Sequence, residues 1–161
     1  MAITHHTPDE DPHTTAAADQ DHAAPAVPRP RNDVEAARAF AIEVARLLKD
    51  DRCEEIVVLD VSGVSQITDF IIIASGTSDR QMRSSADDVR KLAEERGFGV
   101  FRHSVDTRTT WYVLDCVDVI THIFEPTTRL HYDLEMLWGD VPRVAWERPG
   151  EQNRDHARLN D

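Results

Sequence analysis

The stretch "TDFIIIASGTSDRQ", 68–81, constrains this chain more than any other. Its core, "FIIIAS", shows no alternation of apolar and polar residues, so a strand there must be covered on both faces. That predicts an interior strand of a sheet with further layers packed on each side. Ser-Gly-Thr-Ser then stops the strand, and a helix is predicted over about 78–96. Met82, Ala86, Val89 and Ala93 recur at helical spacing along one of its faces. Ser78 followed by Gln81 is a capping box, Asp79 complements the helix dipole, and Gly97 is placed to end the helix as its C′ residue.

A strand, a small-residue turn and a helix N-terminus are also the parts of a phosphate site. Both GxGxxG and GxxxxGK[ST] are absent, however, and Asp79 would put a negative charge where the anion should sit. Stopping a strand and starting a helix accounts for the whole stretch. The competing reading is a nucleotide-dependent, nucleotidyltransferase-like enzyme using residues 74–81 with Asp115 or Asp118.

Around this centre the remaining elements fall into place. "NDVEAARAFAIEVARLLKDD" reads as a helix with Val34, Ala37, Ala41, Val44 and Leu48 on one stripe, Phe40 and Leu47 widening it, and Asn32 as cap. "EEIVVLDVS" reads as a strand. "FGVFRHSVDTRTT" has room for a short edge strand, and "WYVLDC" with "DVITHIF" reads as an antiparallel hairpin about Val117-Asp118. "TTRLHYDLEMLW" reads as one helix, capped by a Thr, with Leu130, Leu134 and Leu137 along one side. The order is that of an α/β domain with a mixed sheet and flanking helices.

The ends differ in character. Residues 1–31 are rich in Ala, Pro, Asp, Thr and His with almost no large apolar side chain, and are expected to be a disordered tail. His5, His6, His13 and His22 lie in it at irregular spacing, which favours a solvated segment over a metal tract. The domain is drawn at 32–140, and 141–161 is expected to be an extended C-terminal tail.

The net charge of −12, from 18 basic and 30 acidic residues, works against nonspecific binding to phosphate backbones and favours a basic protein partner. Only Cys53 and Cys116 occur, in no metal-ligand or disulfide pattern, so neither a metal nor a cofactor is expected. No apolar run approaches the length of a membrane span, and the N-terminus resembles neither a signal peptide nor a transit peptide, which makes the cytoplasm the expected compartment. Asp115 and Asp118 bracket the hairpin turn and read first as turn formers. His122 reads as a structural or interface residue within a strand. Trp111 and Tyr132 are the residue types that anchor protein–protein contacts.

"VLDVSGVSQITDFIIIASGTSDRQMRSSADDV" and "WYVLDCVDVITHIFEPTTRLHYDLEMLWGD" together resemble the ribosomal silencing factor family, also called the Iojap family. The resemblance covers roughly residues 33–140. It runs through Asp60, Thr68-Asp69, Ala74-Ser75-Gly76, Ser78, Arg80-Gln81, Trp111, Asp115, Asp118, His122, Arg129, Tyr132, Leu134-Glu135 and Leu137-Trp138. It implies a nucleotidyltransferase-like fold without catalysis. It also implies binding to the large ribosomal subunit through its fourteenth protein, blocking union with the small subunit and lowering translation when nutrients are scarce. The partner surface it implies comprises Trp111, Asp115, Cys116, Asp118, His122 and Tyr132. Cys116 stands where the family often has an apolar or aromatic contact residue. A symmetric homodimer is also found in the family. The chain departs from the family pattern in lacking a Glu-Gly before Trp111 and in carrying Val117 where the hairpin turn usually has Gly.

Overall fold

A computed structural model of the protein describes residues 33–151. The first helix, α1, spans Val34–Asp50 and buries Ala37, Phe40, Ala41, Val44, Ala45 and Leu48. Val34, expected on the same stripe, lies on the exposed first turn. The N-cap is Asp33, whose carboxylate accepts from the Glu35 amide at 3.4 Å. The expected cap, Asn32, lies outside the described residues, as do the four N-terminal histidines. Strands β1 (Glu54–Asp60) and β2 (Phe70–Ser75) follow, then α2 (Asp79–Glu95), β3 (Arg102–Val105), β4 (Trp111–Asp115) and β5 (Val119–Phe124). Two short helices, α3 (Pro126–Tyr132) and α4 (Leu134–Trp138), complete the series.

The five strands form one mixed sheet in the order β1-β2-β5-β4-β3. β2 and β5 are parallel, and the other three pairings are antiparallel. All six residues of β2 are buried, as an uninterrupted apolar run requires. Phe70, Ile72 and Ala74 point into a core shared with α1, α2 and alternate residues of β4 and β5, including Tyr112, Leu114, Val119 and Ile123. Ile71 and Ile73 point the other way, into a smaller core with Leu59, Val61 and Phe124 that is roofed by Leu134, Trp138 and Val141. One face of the sheet is thus covered by two long helices over β1, β2, β5 and β4, and the other is covered over β1, β2 and the Phe124 end of β5.

The turn after β2 is built for close approach. An added Cβ on Gly76 would stand 2.1 Å from Met82 Cγ and 2.7 Å from its Sδ, so a side chain there drives into the first turn of α2. Ser78 Oγ accepts from the Gln81 amide at 3.1 Å, closing the N-cap. Gln81 Oε1 accepts from the Thr77 amide at 2.7 Å, while its Nε2 donates to the Asp51 carbonyl at 2.9 Å. The same side chain therefore finishes one helix start and ties it to the end of α1.

Two expectations for the C-terminal third are corrected. "TTRLHYDLEMLW" is not one helix: Asp133 takes a left-handed conformation (φ 45°, ψ 56°) and divides it into α3 and α4. Consequently Leu130 and Leu137 point outward, 82% and 75% exposed, while Leu134 and Trp138 pack inward. The N-cap of α3 is Glu125, with Pro126 in the first turn, not a Thr. Residues 141–148 form no helix, but they are not the free tail expected there. Val144 and Trp146 are buried in the main core, and Arg143 bridges Leu59 on the outer edge of β1. An isolated Val and Trp among polar residues and prolines carry no periodicity that would announce this packing.

At the β4–β5 turn Val117 sits at φ 70°, a conformation that costs a β-branched residue on the order of 1–3 kcal/mol. The turn is pinned regardless, because Asp115 Oδ1 accepts from the Val117 amide at 2.8 Å and the Asp118 amide donates to Cys116 O at 2.9 Å. Val117→Gly is expected to raise stability by about 1 kcal/mol. Gly76→Ala is expected to lower it by about 1–3 kcal/mol through overpacking against Met82. Chemical denaturation of the two variants measures both, with opposite signs.

Candidate functional site: an aromatic cluster on the open sheet face

Alternation along β4 and β5 sends Tyr112, Leu114, Val119 and Ile123 to the helical side. By the same parity Trp111, Val113 and Asp115 of β4 and Ile120, His122 and Phe124 of β5 share the opposite face. On this face α3 reaches Trp111 through Tyr132, and Trp111, Val113, Asp115, Ile120 and His122 all remain partly exposed.

Trp111 is the centre. Its ring lies 4.9 Å from Phe124, 4.8 Å from Tyr132 and 5.9 Å from His122, measured between centroids. Its indole Nε1–H donates to His122 Nδ1 at 3.1 Å. Tyr132, at the end of α3, remains half exposed beside it. The cluster is held from both ends. Asp106, in the β3–β4 loop, accepts from the Trp111 amide at 3.0 Å, the Thr110 amide at 2.6 Å and the Thr110 hydroxyl at 2.7 Å. Burial works against the Asp106 charge, yet the hydrogen bonds from Thr110 and Trp111 outweigh it and hold the carboxyl below its usual range. At the other end, buried Arg129 fixes α3 to the sheet by donating to Ser75 Oγ at 2.8 Å and to Glu135 at 3.1 Å through Nε. That anchor sets where Tyr132 stands.

The residues expected to meet a partner therefore divide. Trp111, His122 and Tyr132 come together, and Asp115 lies on the same face at the far end of β4. Cys116 and Asp118 do not join them: each is only 2% exposed. Cys116 turns into the helical core, and burial pushes its thiol up to about 12. The Asp118 carbonyl accepts from the Asp69 and Phe70 amides at 2.9 and 3.0 Å, locking the hairpin to the start of β2. Neither side chain offers surface to a partner, because the tight turn at Val117 folds both inward. Sequence reading missed Phe124 and Asp106. Phe124 has the strand parity of His122, and Asp106 opens "DTRTTW", a pattern suited to a side chain that caps its own loop.

At the start of α2, the alternative site, Ser78 engages the Gln81 amide and Gln81 engages the Thr77 amide. Asp79 is turned to the sheet, where its Oδ1 accepts the Tyr112 hydroxyl at 2.8 Å. Among the described residues no group of three or more His, Cys, Asp or Glu side chains is placed to hold a metal ion. No helix among them is long and apolar enough to cross a membrane.

Burial lowers His122 to about 4, and the neutral ring keeps Nδ1 as acceptor for Trp111 with its proton on Nε2. The unfolded chain binds the proton first as pH falls, so this residue contributes stability that is complete above about pH 6.5 and is lost down to about pH 4. The loss over that window is at most ~3 kcal/mol. His122→Gln is expected to flatten that part of the stability–pH curve, measured by denaturant unfolding at each pH.

The arrangement has counterparts among known proteins. The family model described as "Ribosomal silencing factor during starvation" matches residues 34–161. The ribosomal silencing factor of Halalkalibacterium halodurans is 37% identical over 98 residues, which covers 61% of this chain and 84% of that protein. The Bacillus subtilis ribosomal silencing factor is 37% identical over 93 residues, 58% of this chain and 79% of its own length. The chloroplastic Iojap protein of Arabidopsis thaliana is 33% identical over 106 residues, which span 66% of this chain and 44% of that protein. A solved structure from Chromobacterium violaceum superposes with a TM-score of 0.60 at 27% identity, covering 74% of this chain and 98% of that one. With the sheet, the helices and the matched span in agreement, the chain belongs to the ribosomal silencing factor family.

Proposed function

We propose that this protein silences ribosomes by seating the Trp111–His122–Tyr132 cluster on the fourteenth protein of the large subunit, where its bulk keeps the small subunit from joining. Translation then falls under nutrient limitation, in the cytoplasm and without catalysis. The observation that carries this reading is the cluster itself: three polar-tipped aromatic rings gathered on one sheet face, with Trp111 and His122 partly exposed and Tyr132 half exposed. Tyr and Trp in such positions supply most of the energy of protein contacts. The net charge of −12 suits a basic ribosomal protein and disfavours ribosomal RNA as the main contact. Asp115 extends the same face and adds an acidic contact. In this reading Cys116 and Asp118 shape the hairpin and make no contact of their own. A wedge needs only a rigid shape and an adhesive face, and a symmetric homodimer of the chain is compatible with it.

Co-sedimentation with purified large subunits tests the reading. The unaltered chain is expected to travel with the large subunit and to shift ribosome profiles from whole ribosomes to separate subunits. Trp111→Ala is expected to weaken that binding by about 30-fold or more, the scale of losing a hot-spot residue, with the circular dichroism spectrum unchanged. An unaltered chain that ignores large subunits at modest salt would overturn the proposal. Thermal stabilisation by millimolar nucleotide with magnesium would favour the nucleotidyltransferase-like alternative instead.

A further inference from the structure

Residues 106–110 join β3 to β4, and one residue among them carries most of the order. Asp106 Oδ1 accepts from the Thr110 amide at 2.6 Å and from the Trp111 amide at 3.0 Å, while Oδ2 accepts from the Thr110 hydroxyl at 2.7 Å. The Asp106 backbone closes the same loop. Its carbonyl accepts from the Thr109 amide at 3.1 Å, and its amide donates to the Trp111 carbonyl at 3.2 Å. The loop is also strained. Thr109 stands at φ 57°, a left-handed conformation unfavourable for a β-branched residue, and such a residue persists only where its surroundings over-determine it. Asp106 supplies that restraint, at Thr109 itself and at the Thr110 that follows.

The loop reaches a second ring as well. α3 begins without a side-chain cap at Glu125, and the Glu125 amide donates to the Thr110 carbonyl at 2.8 Å. Thr110 is therefore held by Asp106 through its amide and hydroxyl, and with its carbonyl it holds the entry to α3. Tyr132 is the last residue of that helix, and its ring lies 4.8 Å from Trp111. A single carboxylate thus stands behind the strand that carries one ring and the helix that carries the other.

We infer that Asp106 is the positioning residue of the aromatic face, setting Trp111 directly and Tyr132 through Thr110 and α3, and that it touches no partner itself. What the face is used for rests on the ribosome-binding reading, whereas the placement of its rings does not. An acidic residue beside a docking face could instead act as a direct contact to a basic partner, and the bonding pattern separates the two roles. Both backbone amides fall on Oδ1, so an asparagine keeps them through its carbonyl oxygen. Its amide nitrogen can donate to the Thr110 hydroxyl oxygen where Oδ2 now accepts. An asparagine therefore preserves the positioning and removes the charge, while an alanine removes both.

Nitrogen-15 correlation spectra of the full chain read the placement, and co-sedimentation with large subunits reads its use. Asp106→Ala is expected to move the Trp111 indole N–H signal toward that of a water-exposed indole, as the bond to His122 Nδ1 opens. The Tyr132 amide signal is expected to move with it. Circular dichroism stays unchanged, and binding to large subunits weakens about tenfold. Asp106→Asn is expected to leave both signals in place and to bind within about threefold of the unaltered chain. An Asp106→Ala chain with both signals unmoved overturns the proposal, because ring packing alone then places Trp111. Equal loss of binding in Asp106→Asn and Asp106→Ala, with the signals of the former unmoved, also overturns it, because the carboxylate is then a contact in its own right. So does an Asp106→Ala chain that fails to fold, because the residue then supports the whole domain and not its face. Signals that move as expected in a chain that ignores large subunits leave Asp106 in its role and remove the ribosome-binding reading instead.

Discussion

Burial of β2 on both faces is the constraint from which the rest of this structure follows. A six-residue strand with no solvent-facing side needs one layer above and another below, and it needs a hydrogen-bonded neighbour on each flank. α1 and α2 supply the first layer. The second layer is thin: α3, α4 and Val141 roof Leu59, Val61, Ile71, Ile73 and Phe124. Trp111 and His122 stand at the rim of that roof and stay partly exposed. The aromatic face is thus what stays partly exposed when a small domain covers its most apolar strand first.

Small polar anchors complete this economy. A buried guanidinium is costly unless every donor finds an acceptor, and Arg129 is 7% exposed. It meets Ser75 at the end of β2 and Glu135 at the start of α4, so one side chain joins strand, α3 and α4 at a single point. A lysine there would keep the charge and lose the planar fork that reaches both partners. Tyr132 is carried on the helix that this anchor holds, which links a core interaction directly to the presentation of the surface cluster.

Much of this was legible in the residues. The period of α2, the capping box at Ser78 and the double-sided burial of "FIIIAS" are local patterns, and each formed as its pattern implies. The hairpin was legible too, because two apolar runs flank a short polar turn. What failed was non-local or depended on one dihedral angle. Asp133 adopts a left-handed conformation in the middle of a good helical pattern, which turns Leu130 and Leu137 from a core stripe into surface. Asp118 and Cys116 were expected on the partner surface by family resemblance, but the tight reversal at Val117 directs them inward. The segment around Trp146 read as a tail because its packing is made with an edge some 90 residues earlier in the chain. Trp111, His122 and Tyr132 could be nominated by residue type and family resemblance, while their meeting point required the register of β4 on β5.

The Gln81 side chain has a consequence for any small anion that approaches the start of α2. The amide of Thr77 is already bonded to an oxygen carried on the same helix, and that oxygen is held in place from behind by the carbonyl of Asp51. A tethered group of this kind acts as a competitor present at an effective concentration of about millimolar or more. A free phosphate would have to displace it and then leave the Gln81 carboxamide without its acceptor at Asp51. The turn has kept the outline of a receptor, and the protein has become its own ligand.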